Sequence, residues 1–119
     1  MSNKFKAKPT VIDDIKFASK KEARRYGDLK LLERAGEIKD LEVHPKFKLE
    51  VNGQPLMTPK GRQIRYEGDF RYREKNGKGW TPVIEDVKGY VPTSGPVYRL
   101  FALKAAIVES MTGTKVRIT

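Results

Sequence analysis

Apolar residues recur at intervals of three and four in two stretches of the chain, which predicts two amphipathic helices. The first helix is predicted over 19–35, because Ser19 suits the N-cap and Glu22 completes a capping box with it. Gly36 suits the position just after the helix, where a left-handed conformation ends it. The second helix is predicted over 97–111.

Period-two alternation between the helices predicts three long β-strands. The first covers 38–51 with a break at His44-Pro45, because proline has no N–H to give to a neighbouring strand. The second (63–74) and the third (80–89) are predicted to form a hairpin that turns at 76–79. A short first hairpin, a loop before the second helix and a short last strand are predicted over 10–17, 90–96 and 115–119.

Alternation along the second strand also predicts which side chains share a face. One face is expected to carry Ile64, Tyr66, Gly68, Phe70 and Tyr72. The other face is expected to carry the charged residues Arg65, Glu67, Asp69, Arg71 and Arg73.

The length and the charge of the chain narrow the classes of function. A chain of 119 residues without an internal repeat is expected to form one domain over 10–119, after a flexible basic arm over 1–9. The formal net charge of +10 favours a polyanionic partner such as nucleic acid, although many small basic proteins bind nothing specific. No apolar run is long enough for a membrane span and no signal peptide is visible, so a cytoplasmic protein without a membrane partner is expected.

The chain has few of the nitrogen- and sulfur-containing side chains that bind metals in proteins. The chain has no cysteine and a single histidine, His44, which excludes thiolate sites and nearly excludes the usual zinc sites. Any metal is therefore expected on carboxylate and carbonyl oxygens, which favours Mg²⁺, Mn²⁺ or Ca²⁺. His44, beside Pro45, is interpreted as a structural or surface residue rather than as a base.

Charged residues stand inside the two hairpin strands, where a structural hairpin does not need them. Asp86 and Lys88 are two apart, so they share one face with Ile84, while Glu85 points to the other face. Asp69 lies on the neighbouring strand; if it shares their side, Asp69 and Asp86 can hold one hard cation together with the Val87 carbonyl. Such an ion assists phosphodiester hydrolysis, with Lys88 orienting the attacking water or stabilising charge on the phosphate. The alternative is a solvated strand in which Asp86 and Lys88 form an ion pair and Asp69 balances nearby arginines.

The helices supply further candidates. Glu22 is a candidate fourth member of the site, although its capping role alone accounts for a glutamate there. Basic residues on the two helices are candidates for a phosphate track, and a solvated helix face is the alternative for them. The predicted contacts are Lys20, Lys21, Arg24, Arg99 and Lys104, with Arg25 as a further candidate.

The ordered set of these residues resembles the PD-(D/E)xK nuclease superfamily, in which an acid on one strand precedes acid-x-Lys on the next. Asp69 followed by Asp86-Val87-Lys88 matches that order, and Glu22 matches a glutamate that many members carry on the first helix. More closely, the chain is similar to a family of small phage and prophage proteins catalogued as a domain of unknown function, and to the nuclease subunit of certain transposases. The matching segments are 17–23, 32–38, 44–45, 69–70 and 85–89.

The resemblance implies a restriction-endonuclease-like α/β core, with a mixed central β-sheet flanked by helices. It implies a Mg²⁺-dependent DNA endonuclease that can also use Mn²⁺. Such an enzyme would process phage DNA or branched recombination intermediates inside a host cell, and the resemblance allows a homodimer. In that reading Glu22, Asp69, Asp86 and Lys88 are catalytic, and Asp69, Asp86 and the Val87 carbonyl bind the metal. The chain departs from the pattern in two places, with His44 where many such proteins have glutamine and Gly68 where proline often precedes the first acid.

Two other functions stay open from the sequence. A non-catalytic DNA-binding phage protein that keeps the nuclease fold accounts for the basic surface equally well. An RNA-binding or RNA-processing module is a third class, for which the composition has no signature.

Overall fold

The computed structural model describes residues 9–88 and 94–119, and in them it shows a mixed α/β fold with a mixed central sheet and two helices. The helices are α1 (Lys20–Arg34) and α2 (Pro96–Thr112). The strands are β1 (Thr10–Ile12), β2 (Ile15–Phe17), β3 (Ile38–Val43), β4 (Lys46–Lys48), β5 (Glu50–Val51), β6 (Gln54–Pro55), β7 (Arg65–Glu67), β8 (Phe70–Asn76), β9 (Gly79–Asp86) and β10 (Val116–Ile118).

The central sheet has the strand order β10-β9-β8-β3. β10 runs parallel to β9, while the β9–β8 and β8–β3 pairs are antiparallel. β8 and β9 form the predicted hairpin, paired from Phe70 opposite Glu85 to Asn76 opposite Gly79. Three smaller pairs lie outside this sheet, namely β1–β2, β4–β7 and β5–β6.

Each face of the central sheet packs against its own apolar cluster. Val83 belongs to the cluster with α1, and its neighbour Ile84 belongs to the cluster with α2. Successive strand residues point to opposite faces, so the two clusters lie on opposite sides of β9. The α1 cluster includes Phe17, Tyr26, Leu29, Phe70 and Tyr72, and the α2 cluster includes Phe47, Leu49, Tyr66, Val108 and Val116.

Both predicted helices, the first hairpin and the break in the first long strand are confirmed. Ser19 caps α1, Gly36 has a φ of +77°, and the strand over 38–51 is broken at His44-Pro45 into β3 and β4. The predicted third strand is too long, since β9 ends at Asp86, where its pairing with β10 also ends. Residues 1–8 of the predicted arm, Gly89 and residues 90–93 of the predicted loop lie outside the described residues.

The predicted second strand is wrong in one respect, since it is interrupted at Gly68-Asp69. β7 pairs with β4, and after the interruption β8 pairs with β3 and β9. Tyr66 therefore packs in the α2 cluster, whereas Phe70 and Tyr72 pack in the α1 cluster, although simple alternation put all three on one face. Hydrogen bonds from Gly68 N to the Pro45 carbonyl and from Asp69 N to the Glu85 carbonyl hold the interruption in place.

Neither described helix is long and apolar enough to cross a membrane.

Candidate metal centre

The first turn of α1 brings Glu22 to the edge of the sheet. The Ser19 hydroxyl accepts a hydrogen bond from the Glu22 N–H at 3.1 Å, which is half of the predicted capping box. The Glu22 side chain is buried with Ala23, Tyr26 and Leu29 on the inner face of the helix. Its carboxylate oxygen Oε1 lies 2.7 Å from His44 Nε2, so the glutamate does more than cap the helix.

Two adjacent interruptions of the strands place His44 and Asp69 next to each other. The His44 N–H donates to the Asp69 carbonyl at 2.9 Å, which ties the β3–β4 bend to the β7–β8 interruption. His44 has a φ of +54°, a left-handed conformation that costs a non-glycine residue about 1 kcal/mol. Glu22, His44 and Asp69 each offer one ligand atom, and these three atoms all lie within 4.8 Å of one another.

The Asp69 carboxyl lies in a crowded and anionic environment. Burial raises its pKa to about 7, with further contributions from the negative charges of Asp86 and Glu22. A hydrogen bond from the Val87 N–H to Oδ2, at 2.6 Å, and the charge of Lys88 act in the opposite direction. A divalent cation placed among these acids relieves their mutual repulsion, which is the electrostatic condition for a metal site.

Asp86 and Lys88 lie together on the α2 side of the sheet, as alternation predicted. The Tyr66 hydroxyl donates to Asp86 Oδ2 at 2.5 Å, and Lys88 Nζ lies 2.9 Å from Oδ1. Burial, together with the hydrogen bond to Asp86, raises the pKa of Tyr66, so Tyr66 keeps its proton and acts as a donor. The Lys88 ammonium also lies 3.5 Å from the centre of the Phe101 ring, a cation–π contact.

A cavity of about 290 Å³ opens beside these groups. Asp69, Asp86 and Lys88 line one side, and α2 contributes Phe101 and Lys104 from the other. A larger groove of about 560 Å³ between the β5–β6 pair and α2 has Glu50 as the one ionisable group in its described lining. The chemistry therefore belongs to the smaller cavity.

The structure brings the four predicted catalytic residues, Glu22, Asp69, Asp86 and Lys88, to one end of the β8–β9 hairpin. The metal ligands were predicted as Asp69, Asp86 and the Val87 carbonyl. Among the described His, Asp and Glu side chains, the three that bring ligand atoms within 4.8 Å of one another are Glu22, His44 and Asp69. Both oxygens of Asp86 have other partners in the described residues. The sequence analysis did not assign His44 or Tyr66 to the site. The break at His44-Pro45 was a signal for His44, whereas strand alternation only placed Tyr66 on an apolar face.

Glu85, the acid beside Asp86, has a structural role on the opposite face. Its carboxylate is fully buried and receives two hydrogen bonds from the Arg25 guanidinium, both at 2.8 Å, and others from Tyr72 and Thr119. Burial alone would raise its pKa, but these hydrogen bonds outweigh burial and lower it. Arg25 is therefore bound within the fold and is not a free phosphate contact.

The other predicted basic contacts lie around the site with different degrees of exposure. Lys20, Lys21 and Arg24 are exposed at the start of α1, and Arg99 is exposed on α2. Lys21 Nζ donates to the Lys88 carbonyl at 2.5 Å, so this lysine adjoins the candidate centre. Lys104 lines the cavity itself.

The family model described as "Protein of unknown function (DUF1064)" matches residues 2–112, which is nearly the whole chain. The chain belongs to this family. No curated protein and no solved structure matches it. For this DUF1064 protein the arrangement of side chains is thus the main guide to function.

Proposed function

We propose that this DUF1064 protein is a divalent-metal-dependent endodeoxyribonuclease, using Mg²⁺ or Mn²⁺, with a restriction-endonuclease-like core. The observation that carries the proposal is the meeting of Asp69 with Glu22 on one side and with Asp86 and Lys88 on the other. Asp69, Asp86 and Lys88 line the cavity, and Glu22 lies beside Asp69. This combination of acids and a lysine suits metal-assisted hydrolysis of a phosphodiester.

The strand arrangement supports the superfamily assignment. Asp69 immediately precedes β8, and Asp86 ends β9, its antiparallel neighbour, with Val87 and Lys88 following. Glu22 comes from α1, whose inner face shares an apolar cluster with Phe70 of β8 and Val83 of β9. This arrangement supports the proposal, because the resemblance implies an acid before one strand, acid-x-Lys at the end of the next and a glutamate on the first helix.

Each residue has a distinct part in the proposed reaction. Asp69 and Glu22 would hold the cation, which would supply positive charge to the phosphate and lower the pKa of an attacking water. Lys88, after leaving Asp86, donates to that water or to the phosphate oxygens. Asp86 positions Lys88 beside the site, and the Tyr66 hydroxyl orients Asp86 in turn. Lys104 and the exposed basic residues of α1 contact the DNA backbone.

The test is cleavage of duplex, flap and four-way-junction DNA by the wild type and by Asp86→Ala with Mg²⁺ or Mn²⁺. We expect cleavage of at least one substrate by the wild type and a loss of at least 100-fold in Asp86→Ala, because an acid essential to the site is removed. Asp28→Ala, which removes an exposed acid on the outer face of α1, is the matched control and should cleave normally. If the wild type cuts none of the three DNAs with either metal, the endonuclease proposal fails.

A second candidate is a non-catalytic DNA-binding protein, and the two contacts of Asp86 favour it. Asp86 is already satisfied by Lys88 and Tyr66, as in a structural ion pair. This candidate predicts DNA binding that neither metal nor Asp69→Ala alters. Phage DNA processing in a host cell, branched substrates and a homodimer remain predictions from the resemblance alone.

A further inference from the structure

The close group of Glu22, His44 and Asp69 contains one nitrogen and two carboxylates. Ligand atoms on opposite sides of an octahedral dication are about 4.2 Å apart, at about 2.1 Å from the ion. The three atoms lie within 4.8 Å of one another, so one ion between them needs only small side-chain movements. The donor set and the spacing therefore fit a metal.

We propose that His44 is a metal ligand, and that Glu22, His44 and Asp69 together select a first-row transition-metal dication such as Mn²⁺ over Mg²⁺. The inference rests on the proposed function for the use of the metal, but the binding it describes is measurable without any reaction.

The chemistry of the donor set gives the direction of this selectivity. Mg²⁺ is a hard ion that binds oxygen ligands and keeps several of its waters. An imidazole nitrogen adds affinity for transition-metal ions and very little for Mg²⁺. A site of three oxygens, as predicted from the sequence, would not discriminate in this way.

The surroundings of His44 hold the ring towards the acids. Its backbone N–H is bound to the Asp69 carbonyl, which fixes the left-handed bend from which the side chain projects. The Phe17 ring packs against the imidazole with 5.8 Å between ring centres. These contacts orient the ring in advance, as metal-binding histidines require.

Asp86 is less available than His44 for the same ion. Its two oxygens are held by Tyr66 and Lys88, on the α2 side of the sheet. The imidazole reaches the cluster from the α1 side, where Nε2 is already 2.7 Å from the Glu22 oxygen. His44 thus supplies the third ligand that Asp86, in this arrangement, does not.

The experiment measures metal binding by the untagged full chain, because a polyhistidine tag would add competing nitrogen ligands. Titration calorimetry with Mn²⁺ and Mg²⁺ compares the wild type with His44→Gln, which keeps a hydrogen-bonding side chain but removes the imidazole. We expect Mn²⁺ affinity to fall at least tenfold in His44→Gln, and Mg²⁺ affinity to change less than threefold. Asp28→Asn is the control and should bind both ions as the wild type does.

Pulsed electron paramagnetic resonance of the bound Mn²⁺ provides a readout that a purely structural histidine would not alter. Coupling to an imidazole ¹⁴N is expected in the wild type and should be lost in His44→Gln. Because the wild-type spectrum is informative by itself, the inference stays testable even if His44→Gln does not fold. Bound Mn²⁺ without nitrogen coupling, or equal Mn²⁺ affinity in the two proteins, would overturn it.

The two proposals fail differently. Nitrogen-coupled Mn²⁺ without cleavage of any DNA would support the metal site and refute the endonuclease proposal. If His44→Gln changes neither DNA cleavage with Mg²⁺ nor the affinity for Mn²⁺, the endonuclease proposal is supported and the proposal that His44 binds the metal is refuted.

Discussion

At the scale of single residues, neighbouring acids of this protein differ sharply in their electrostatic surroundings. Glu85 is fully buried, yet its pKa is lowered because the hydrogen bonds from Arg25 and Tyr72 outweigh the effect of burial. Asp69, across the same hairpin, has a pKa raised to about 7 because burial and two nearby acids outweigh its one backbone donor and Lys88. The first acid stabilises the fold when it is ionised, and the second destabilises it unless a cation is present.

Opposite effects on stability are therefore expected from neutralising these two acids in the metal-free protein. Glu85→Gln should lower the free energy of unfolding at pH 7 by about 3 kcal/mol, because it leaves Arg25 without its buried partner. Asp69→Asn should raise it at pH 8 by about 1–2 kcal/mol, a figure reduced because Asp69 is partly exposed. Urea unfolding monitored by circular dichroism, in chelator, measures both.

The pH dependence provides the control for that pair. Glu85 has a lowered folded pKa, so its stabilisation is present above about pH 4.5 and is lost as the pH falls through the folded value. Asp69 has a raised folded pKa, so its cost appears between about pH 4 and pH 7 and is complete at pH 8. Both differences from the wild type should shrink at pH 3, and a destabilised Asp69→Asn at pH 8 would contradict the electrostatic account.

Residue-scale prediction from the sequence succeeded where side chains obey a strand period. Alternation placed Asp86 and Lys88 on one face and Glu85 on the other, as the structure confirms. It could not find His44, because a residue in a bend has no period and its neighbours come from distant parts of the chain. Its contact with Glu22 depends on a left-handed backbone and on the pairing of two strand interruptions.

At the scale of elements, the N-terminus of α1 links helix stability to the candidate centre. Ser19 caps the turn that carries Glu22, and the loss of an N-cap costs about 1 kcal/mol. Ser19→Ala should therefore lower the unfolding free energy by about that amount and weaken Mn²⁺ binding modestly, since Glu22 is held less firmly. Thermal unfolding and calorimetry measure the two effects.

Ser110→Ala is the matched control for the cap. Ser110 is exposed inside α2, where alanine has a higher helix propensity, so stability should stay the same or rise slightly. An equal loss of stability in both variants would show that the cap has no special role.

The type and order of the elements followed from local signals, but the course of β7 and β8 did not. Capping residues, glycines and apolar spacing are local, so the helices were found within one or two residues of their ends. The interruption at Gly68-Asp69 depends on hydrogen bonds to Pro45 and Glu85, which are distant in sequence. For that reason alternation gave the wrong side for Tyr66 relative to Phe70.

At the scale of the whole molecule, the net charge of +10 makes salt-sensitive DNA binding the expected behaviour. Lys104 lines the cavity, so Lys104→Glu should weaken DNA binding several-fold. The slope of log affinity against log salt concentration should become shallower by about 0.9, the value for one phosphate contact. Fluorescence anisotropy with a labelled duplex, titrated between about 50 and about 200 mM salt, measures both.

Lys78→Glu is the control for charge alone. It changes the net charge by the same two units, but Lys78 lies in the turn at the far end of the β8–β9 hairpin. Its effect on affinity should be small. An equal loss of DNA affinity in both variants would mean that the affinity depends on the overall charge and not on the cavity.

The β8–β9 hairpin separates two residues that each occur once in the chain. His44 is bonded to Asp69 at one end of the hairpin, and Trp80 lies opposite Lys75 near the other end, with Lys39 Nζ 4.4 Å from the centre of its ring. One imidazole resonance therefore reports on the centre alone, and one indole fluorophore reports on the distant end of the sheet. Without any label, the protein carries separate spectroscopic probes for events at the site and for the integrity of its scaffold.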